Sequence, residues 1–295
     1  NEQQQKAVSI LKGPVIVFAG AGSGKTRTLT FRIFEMIKHN IDPKRILAIT
    51  FTNKATNEMR ERLHQLVGGK SALLTISTFH SLCAYILRRE ITVLDYHRHF
   101  DIIDDDDQLK VIREVIDTHN YNKKLYTPKA VRKKINYLKT FDLRSDILIE
   151  NDLLDHYNQL MKEMNCLDFN DLLLKVRFLF QNFPDILKRY QHQFGHILVD
   201  EFQDTDLIQY DIIKMLSREH RNIFVVGDDD QSIYGFRGAN YDNIRTFKND
   251  YLEHKMVILN QNYRSTQTIL DGCNKLIANN KNREKKELFS YVSGS

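Results

Sequence analysis

Short apolar stretches alternate with amphipathic stretches over the first part of the chain. Apolar and β-branched residues at 14–19 predict a strand, and apolar positions at helical spacing from Thr26 onward predict a helix. The pattern repeats, with strands predicted at 46–50 and 73–77 and helices at 55–66 and from 79 to about 89. Strands that alternate with helices are typical of an α/β fold with a parallel sheet.

The middle of the chain lacks this alternation. From about 107 to 194 the apolar positions follow a helical period, as in the stripe formed by Leu109, Ile112 and Val115. Short apolar runs that predict strands return at 196–199, 223–226 and 256–259. We therefore expect a helical domain inserted into a discontinuous α/β domain.

Composition places the chain among ordinary globular proteins. Of its 295 residues, 42% are hydrophobic and 27% are charged, which excludes a disordered, collagen-like or coiled-coil protein. We expect no membrane segment, because no apolar run approaches the ~18 residues of a membrane span and the first residues do not resemble a signal peptide. Three widely separated cysteines, Cys83, Cys166 and Cys273, argue against a disulfide framework or a cysteine zinc site and favour a reducing, cytoplasmic compartment.

The net charge gives little information about what the protein binds. The formal net charge of +5 is compatible with a polyanion but does not identify one. We interpret the basic clusters at 123–139 and 281–286 as solvated faces, and the acidic run at 104–107 as the cap of the helix that follows it. His192 and His196 have the spacing of helical metal ligands, but His196 is expected to begin a strand, so we predict no metal site there.

Residues 19–26 read AGAGSGKT and match the phosphate-binding P-loop, with Ala19 where the commonest pattern has its first glycine. The motif follows a predicted strand and opens a predicted helix, as a P-loop requires. Glycines allow backbone N–H groups to converge on phosphate oxygens, and a helix N-terminus favours negative charge. Lys25 is expected to reach the β- and γ-phosphates, and the Thr26 hydroxyl suits Mg²⁺. The alternative, a flexible glycine–serine loop, does not explain this context.

A second motif supplies acidic groups for the same chemistry. The apolar run at 196–199 ends in Asp200 and Glu201. On a strand next to the P-loop strand, Asp200 is expected to hold Mg²⁺, partly through water, and Glu201 is the candidate base for the attacking water. A strand that ends in two acids is a weak signal alone, but together with the P-loop it predicts a nucleotide-hydrolysing site.

Residues 200–205, which read DEFQDT, resemble motif II of the superfamily 1 DNA helicases of the UvrD/Rep/PcrA type. Other segments resemble motifs of this family in the expected order: Gln4 with Ala7 and Val8 (the adenine-reading Q motif), 49–55 (motif Ia), 77–80 (Ib), 226–234 (III) and 261–265 (IV). The resemblance runs nearly end to end and is weakest in the helical insertion. It implies a RecA-like P-loop domain with a parallel sheet and an inserted all-helical domain.

The resemblance also implies ATP and Mg²⁺ as cofactors. Gln4 would read adenine, Tyr263 would stack on it, and Gln231 would sense the γ-phosphate. The implied catalytic residues are Lys25, Glu201, Gln231 and Arg264, the implied Mg²⁺ ligands are Thr26 and Asp200, and the implied nucleotide-binding residues are Gln4, Ala21, Gly22, Ser23, Gly24, Lys25, Thr26, Arg27, Tyr263 and Arg264. Arg264 would stabilise charge that develops on the transferred phosphoryl group.

In such helicases a track binds single-stranded DNA, whose bases stack on aromatic rings. The implied DNA-binding residues are Phe51, Thr52, Asn53, Thr78, Phe79, His80, Phe169, Tyr234, Phe236 and Arg237. Without the family, each aromatic residue alone would be assigned to the core. The family usually has Trp at the position of Phe236, and the smaller ring predicts weaker DNA affinity at that step.

The predicted function is that of an ATP-dependent DNA helicase or translocase in DNA repair or replication, which acts on single-stranded DNA and on single-strand/duplex junctions with 3′–5′ movement. Two alternatives remain open. One is the motor of a helicase–nuclease repair complex, and the other is a non-motor, ATP-gated DNA-binding module. The sequence identifies no loading partner.

Family members continue into a second motor domain that carries motifs V and VI. This sequence ends about thirty residues after Ser265, so we expect an N-terminal portion with little activity of its own. The expected domains are a first motor domain (1–82 and 195–260), a helical insertion (83–194) and the start of a second motor domain (261–295).

Overall fold

Strands from distant parts of the chain form one parallel sheet. The computed structural model describes residues 1–232, 242–280 and 286–292. Within these residues, the central sheet consists of β1 Val15–Ala19, β2 Ile46–Thr50, β3 Thr75–Thr78, β6 His196–Val199, β7 Ile223–Gly227 and β8 Lys255–Leu259. The strand order is β3-β2-β6-β7-β1-β8, and every neighbouring pair is parallel. The predicted α/β fold with a parallel sheet is confirmed.

Helices connect these strands and form the insertion. In chain order they are α1 Glu2–Ser9, α2 Lys25–Lys38, α3 Asn53–Val67, α4 Phe79–Glu90, α5 Asp105–Thr118, α6 Pro128–Phe141, α7 Leu148–Glu163, α8 Phe169–Asn182, α9 Pro184–Gln193, α10 Leu207–Ser217, α11 Asp242–Asp250 and α12 Gln267–Ile277. Short strands complete the described part: β4 Asp101–Ile102, β5 Cys166–Leu167, β9 Gln261–Asn262 and β10 Phe289–Ser290.

The P-loop strand and the acidic strand are not neighbours in the sheet. Phe224 of β7 pairs with Val15 of β1 on one side and with Leu198 of β6 on the other. The prediction that Asp200 follows a strand next to the P-loop strand is therefore wrong. Because all the strands are parallel, their carboxyl ends still meet at one edge, where ligands bind in open α/β sheets.

Buried apolar residues of the sheet and of its covering helices form the core of this part of the protein. β1 and β2 are buried along their whole lengths, as is typical of parallel strands with helices on both faces. Leu29 and Ile33 of α2 and Met59 and Leu63 of α3 join the same cluster. Packing of these helices fixes the turn between β1 and α2, which is the P-loop.

A buried arginine ties α1, the helix that carries Gln4, to α2. Arg32 Nη1 donates to the backbone oxygen of Ala7 at 3.0 Å, and the guanidinium carbon lies 4.4 Å from the centre of the Phe224 ring. Burial lowers the pKa of Arg32 to about 9. This contact holds α1 against the helix that follows the P-loop.

The chain divides into two compact units, one formed by residues 1–79 together with the described residues from 187 onward, and one formed by residues 80–186. In the second unit, α5, α6 and α7 pack around a core that includes Ile112, Ile135 and Tyr157. β4 and β5 add a two-residue parallel pair to this otherwise helical insertion. Strands this short leave no periodic pattern in the sequence.

Two smaller predictions about secondary structure are confirmed. Asp104 caps α5, because its carboxylate accepts hydrogen bonds from the backbone nitrogens of Asp106 and Asp107. His196 begins β6. None of Cys83, Cys166 and Cys273 forms a disulfide. No helix within the described residues is long and apolar enough to cross a membrane. The predicted domain boundaries stay a prediction, and the described residues after 260 cluster with the first unit.

Candidate functional site

Two glycines give the P-loop its shape. Gly22 and Gly24 have positive φ angles of 69° and 86°, which favour glycine. A Cβ atom on Gly22 would lie 2.7 Å from the side-chain nitrogen of Asn262, and one on Gly24 would lie 3.0 Å from that of Gln4. The Ser23 hydroxyl donates to the backbone oxygen of Gly20 at 2.7 Å. The loop is therefore closed tightly in front of α2, whose N-terminus favours an anion.

The lysine and threonine of the P-loop meet the two acids that follow β6. Lys25 Nζ lies 2.7 Å from Glu201 Oε2, and Thr26 Oγ1 donates to Asp200 Oδ2 at 3.0 Å. Glu201 adopts a left-handed backbone conformation with φ 50°, which turns the chain sharply after the strand. The fold thus brings together side chains that are far apart in the sequence.

Burial and charge set the protonation behaviour of Asp200. Desolvation by burial and then the Glu201 carboxylate raise the pKa of Asp200 to about 6, although the hydrogen bond from Thr26 and the charge of Lys25 oppose this. A carboxylate and a hydroxyl are oxygen donors of the kind that Mg²⁺ prefers. The residues present therefore fit the predicted ion, whose charge would favour the ionised form of Asp200.

The residues predicted to hold adenine lie beside the P-loop. Gln4 Nε2 donates to the backbone oxygen of Ser23 at 2.9 Å, and the Tyr263 hydroxyl lies 3.5 Å from Gln4 Oε1. The Tyr263 side chain is 47% exposed, so its ring has a face free for stacking, while its backbone nitrogen donates to the Gly22 oxygen. Arg27 is exposed on the first turn of α2. The structure brings Gln4, Tyr263 and the P-loop into one site.

A residue without a predicted role, Asn262, joins motif IV to the P-loop. Asn262 Nδ2 donates to the backbone oxygen of Ala21 at 2.6 Å, and its Oδ1 accepts from the backbone nitrogens of Arg264 and Ser265, each at 2.7 Å. Asn262 is buried, whereas Arg264 is exposed. The signal in the sequence that could have pointed to Asn262 is its position in motif IV, directly before Tyr263.

A buried lysine, Lys286, forms ion pairs with the three aspartates of motif III. Lys286 Nζ lies 2.7 Å from Asp228 Oδ1 and 2.9 Å from Asp230 Oδ2, and it also contacts Asp229. Although burial lowers it, the charge of Asp228 and the hydrogen bonds that Lys286 donates to the three carboxylates raise the pKa of Lys286. Gln231 Nε2 donates to the Asp228 carboxylate. The interpretation of the basic cluster at 281–286 as a solvated face is wrong for Lys286, because three carboxylates compensate its buried charge.

In the first unit, the DNA candidates differ in exposure. Phe51 is half-buried, and Thr52 and Asn53 are exposed at the start of α3, where the Thr52 hydroxyl accepts from the backbone nitrogen of Ala55 and caps the helix. Thr78 and Phe79 are buried, at 9% and 4% exposure. The expectation that Phe79 contacts DNA is not supported, because a ring packed in the core offers no face to a base.

In the second unit, His80 and Phe169 form an aromatic pair. Their ring centroids are 5.9 Å apart with an interplanar angle of 71°, and Phe169 is 55% exposed. Burial lowers the pKa of His80, which favours the neutral ring. The remaining DNA candidates, Tyr234, Phe236 and Arg237, lie outside the described residues.

The residue before Phe169 is anchored by buried charges. The Asp168 carboxylate accepts from Lys139 Nζ at 2.8 Å and from the Tyr157 hydroxyl at 3.0 Å, and Lys139 also lies 2.9 Å from Asp171. Lys139 is only 4% exposed. The interpretation of the basic cluster at 123–139 as a solvated face is therefore wrong for this lysine, and the network fixes the start of α8, where Phe169 lies.

Comparison with known proteins identifies the family. The UvrD/REP helicase N-terminal domain model matches residues 1–252. The chain belongs to the UvrD/REP helicase family. It is 41% identical over 302 residues to the ATP-dependent DNA helicase PcrA of Staphylococcus aureus, an alignment that covers 98% of this chain and 41% of that protein. It is also 41% identical over 306 residues to PcrA of Staphylococcus epidermidis, covering 100% of this chain and 42% of that protein. The chain thus spans about two fifths of the length of the curated relatives it matches.

In this UvrD/REP domain, motif II contributes two further polar side chains that had no predicted role. Gln203 is buried, and its amide nitrogen lies 2.9 Å from Glu201 Oε2 and 3.2 Å from Asp204 Oδ2. Burial and then the charge of Glu201 raise the pKa of Asp204 to about 6. Both residues lie within the DEFQDT segment, so their position in the motif was the signal that could have pointed to them.

Proposed function

We propose that this chain is the first motor portion of a longer ATP-dependent DNA helicase or translocase that acts on single-stranded DNA. The observation that carries the proposal is the meeting of the P-loop with the acids of β6, through Lys25 with Glu201 and Thr26 with Asp200. The relatives named as ATP-dependent DNA helicases support the same activity. We also propose a cytoplasmic location, which is supported by three cysteines that form no disulfide.

Each residue of the nucleotide site has a defined task in this proposal. ATP phosphates lie on the loop at 22–26, where backbone N–H groups and the N-terminus of α2 attract them. Lys25 exchanges its bond to Glu201 for the β- and γ-phosphates. Asp200 and Thr26 would hold Mg²⁺, which would neutralise phosphate charge.

The remaining groups complete hydrolysis. Glu201 accepts a proton from the water that attacks the γ-phosphorus, and the bond from that phosphorus to the bridging oxygen breaks to leave ADP. Gln231 and Arg264 contact the γ-phosphoryl group, where negative charge develops. Gln4 and Tyr263 hold the adenine.

For DNA, we propose that the partly exposed rings of Phe51 and Phe169 stack on bases, with Thr52 and Asn53 near the backbone. Stacking is tolerant of sequence, which suits a protein that moves along any strand. The family resemblance supports 3′–5′ movement, action at single-strand/duplex junctions and a role in repair or replication.

The test uses the full-length protein. Lys25→Ala is expected to weaken nucleotide binding, because the lysine contacts phosphates in the bound state, whereas Glu201→Gln is expected to keep nucleotide binding and lose turnover. Nucleotide affinity, DNA-stimulated phosphate release and strand displacement are measured for both variants and the wild type. Normal turnover by Glu201→Gln would contradict the assignment of the base. Hydrolysis by the wild type without displacement or movement would indicate an ATP-gated binding module instead.

A further inference from the structure

We propose that Gln203 is a positioning residue for ATP hydrolysis, which holds the Glu201 carboxylate in place once Lys25 has moved to the nucleotide. This inference rests on the proposed function, because it assigns the partner of the proposed base. Gln203 acts through Glu201 and is not expected to contact the nucleotide itself.

The geometry of the Gln203 amide supports this role. Gln203 lies in a 3₁₀ turn, Phe202–Asp204, directly after the acids of β6, and is 2% exposed. Its Nε2 donates to Glu201 Oε2 at 2.9 Å and to Asp204 Oδ2 at 3.2 Å, while its Oε1 accepts from the backbone nitrogen of Asp228 at 2.9 Å. Both amide hydrogens and the amide oxygen are therefore engaged, which fixes the orientation of the side chain.

The oxygen of the Gln203 amide is bound by the backbone at the end of a neighbouring strand. Asp228 directly follows β7, the strand between β6 and β1. A Cβ atom on Gly227 would lie 2.6 Å from Gln203 Oε1, so the amide packs closely against the backbone at the end of β7. Gln203 thus connects the Glu201 carboxylate to the rigid edge of the sheet.

Glu201 needs the hydrogen bond from Gln203 because its other donor, Lys25, moves to the nucleotide in the proposed function. Its side chain is 34% exposed, and within the described residues its hydrogen-bond donors are Lys25 and Gln203, both at Oε2. When Lys25 turns to the phosphates, Gln203 remains. The amide is neutral, so it orients the carboxylate through a hydrogen bond without placing a positive charge beside it. Oε1 stays available for the proton of the water.

The first variant is Gln203→Met, which keeps the length of the side chain and removes its hydrogen bonds. We expect kcat for DNA-stimulated hydrolysis in the full-length protein to fall by about 10- to 100-fold, because a misplaced group costs that much in rate. We expect KM and the nucleotide dissociation constant to stay within about two-fold, because no bound-state contact is lost. Gln191→Met is the matched control, since this buried amide donates to the backbone oxygen of Met215 and to no residue of the site. Its kcat is expected to be unchanged.

Gln203→Asn is a second variant that keeps a neutral amide. Its side chain is one methylene shorter, so it cannot bind the Asp228 nitrogen and Glu201 at the same time, and we expect a loss of kcat in the same direction without a new buried charge. This variant keeps the proposal falsifiable if Gln203→Met fails to fold.

A double-mutant cycle distinguishes positioning from a general structural effect. In the Glu201→Gln background, Gln203→Met is expected to cause no further fall in single-turnover hydrolysis, because the group it positions is already gone. Additive losses would overturn the inference, as would an unchanged kcat in both Gln203 variants while the wild type hydrolyses ATP. Absence of DNA-stimulated hydrolysis in the wild type would instead refute the proposed function.

Discussion

Replacement of Asp200 by asparagine is expected to stabilise the nucleotide-free protein at neutral pH. Asp200 is 5% exposed, and burial followed by the Glu201 charge raises its pKa from 3.8 to about 6. The folded state therefore disfavours the ionised carboxylate. A rise of about two units corresponds to about 3 kcal/mol of the free energy of unfolding, at roughly 1.36 kcal/mol per unit.

The sign of the pH dependence follows from these two pKa values. Below about pH 4, Asp200 is protonated in the folded and unfolded states alike, so it does not lower the free energy of unfolding. As the pH rises towards about 6, the unfolded chain has already released the proton, so the stability of the folded state falls. Above about pH 6 the full cost of about 3 kcal/mol is present, and at pH 5 about half of it is.

Asparagine can preserve the bonds that Asp200 makes. The backbone nitrogen of Glu201 donates to Asp200 Oδ1 at 3.1 Å, and Thr26 Oγ1 donates to Oδ2 at 3.0 Å. In the variant, the amide oxygen can accept from the Glu201 nitrogen and the amide nitrogen can donate to Thr26, because a hydroxyl is also an acceptor. The substitution thus removes the charge and keeps the contacts.

Urea unfolding of the chain without Mg²⁺ or nucleotide, at pH 5 and pH 8, measures the effect. We expect Asp200→Asn to gain about 3 kcal/mol at pH 8 and about half of that at pH 5, whereas Mg²⁺–ATP should stabilise the wild type more than the variant. Asp206→Asn is the matched control, because Asp206 caps α10 and asparagine caps helices equally well, so its stability should change by less than about 0.5 kcal/mol. No gain at pH 8, or a gain of equal size at pH 5, would refute the reasoning.

Further predictions concern DNA and the insertion. Phe51→Ala and Phe169→Ala are each expected to weaken single-strand binding by about 1–3 kcal/mol without base preference, which titration with labelled oligonucleotides of varied sequence measures; unchanged affinity would mean that these rings do not stack on bases. Lys139→Met is expected to destabilise the chain by about 3–5 kcal/mol, because it leaves two buried carboxylates unpaired. Lys123→Met, which removes an exposed ion pair, should cost less than about 1 kcal/mol. Urea unfolding measures the loss of stability in the two lysine variants. Equal losses would contradict the conclusion that burial makes the ion pairs of Lys139 more important than that of Lys123.

The sequence alone was sufficient for the features that depend on neighbouring residues. The P-loop at 19–26 needs glycines, a lysine and a threonine in consecutive order between a strand and a helix, and each of these appears as a local pattern. The six strands of the central sheet were predicted close to their observed bounds, because short runs of apolar and β-branched residues mark them. The acids at 200 and 201 were found because they directly follow such a run.

Tertiary structure decided everything that depends on which segments meet. Runs of similar length and apolarity carry no information about strand order, so the position of β7 between β1 and β6 was not predictable. Phe79 and Phe169 are the same residue type near similar strand ends, yet one is buried and the other is 55% exposed, because packing of the whole unit sets exposure.

The same reason explains the charged and polar residues that the sequence left without a role. Lys139 and Lys286 belong to basic clusters, and a lysine in a charge run is ordinarily solvated. Only the fold places buried carboxylates around them, at Asp168 and Asp171 in one case and at 228–230 in the other. A buried charge is tolerated where opposite charges and hydrogen bonds compensate its desolvation, and those partners come from distant parts of the chain.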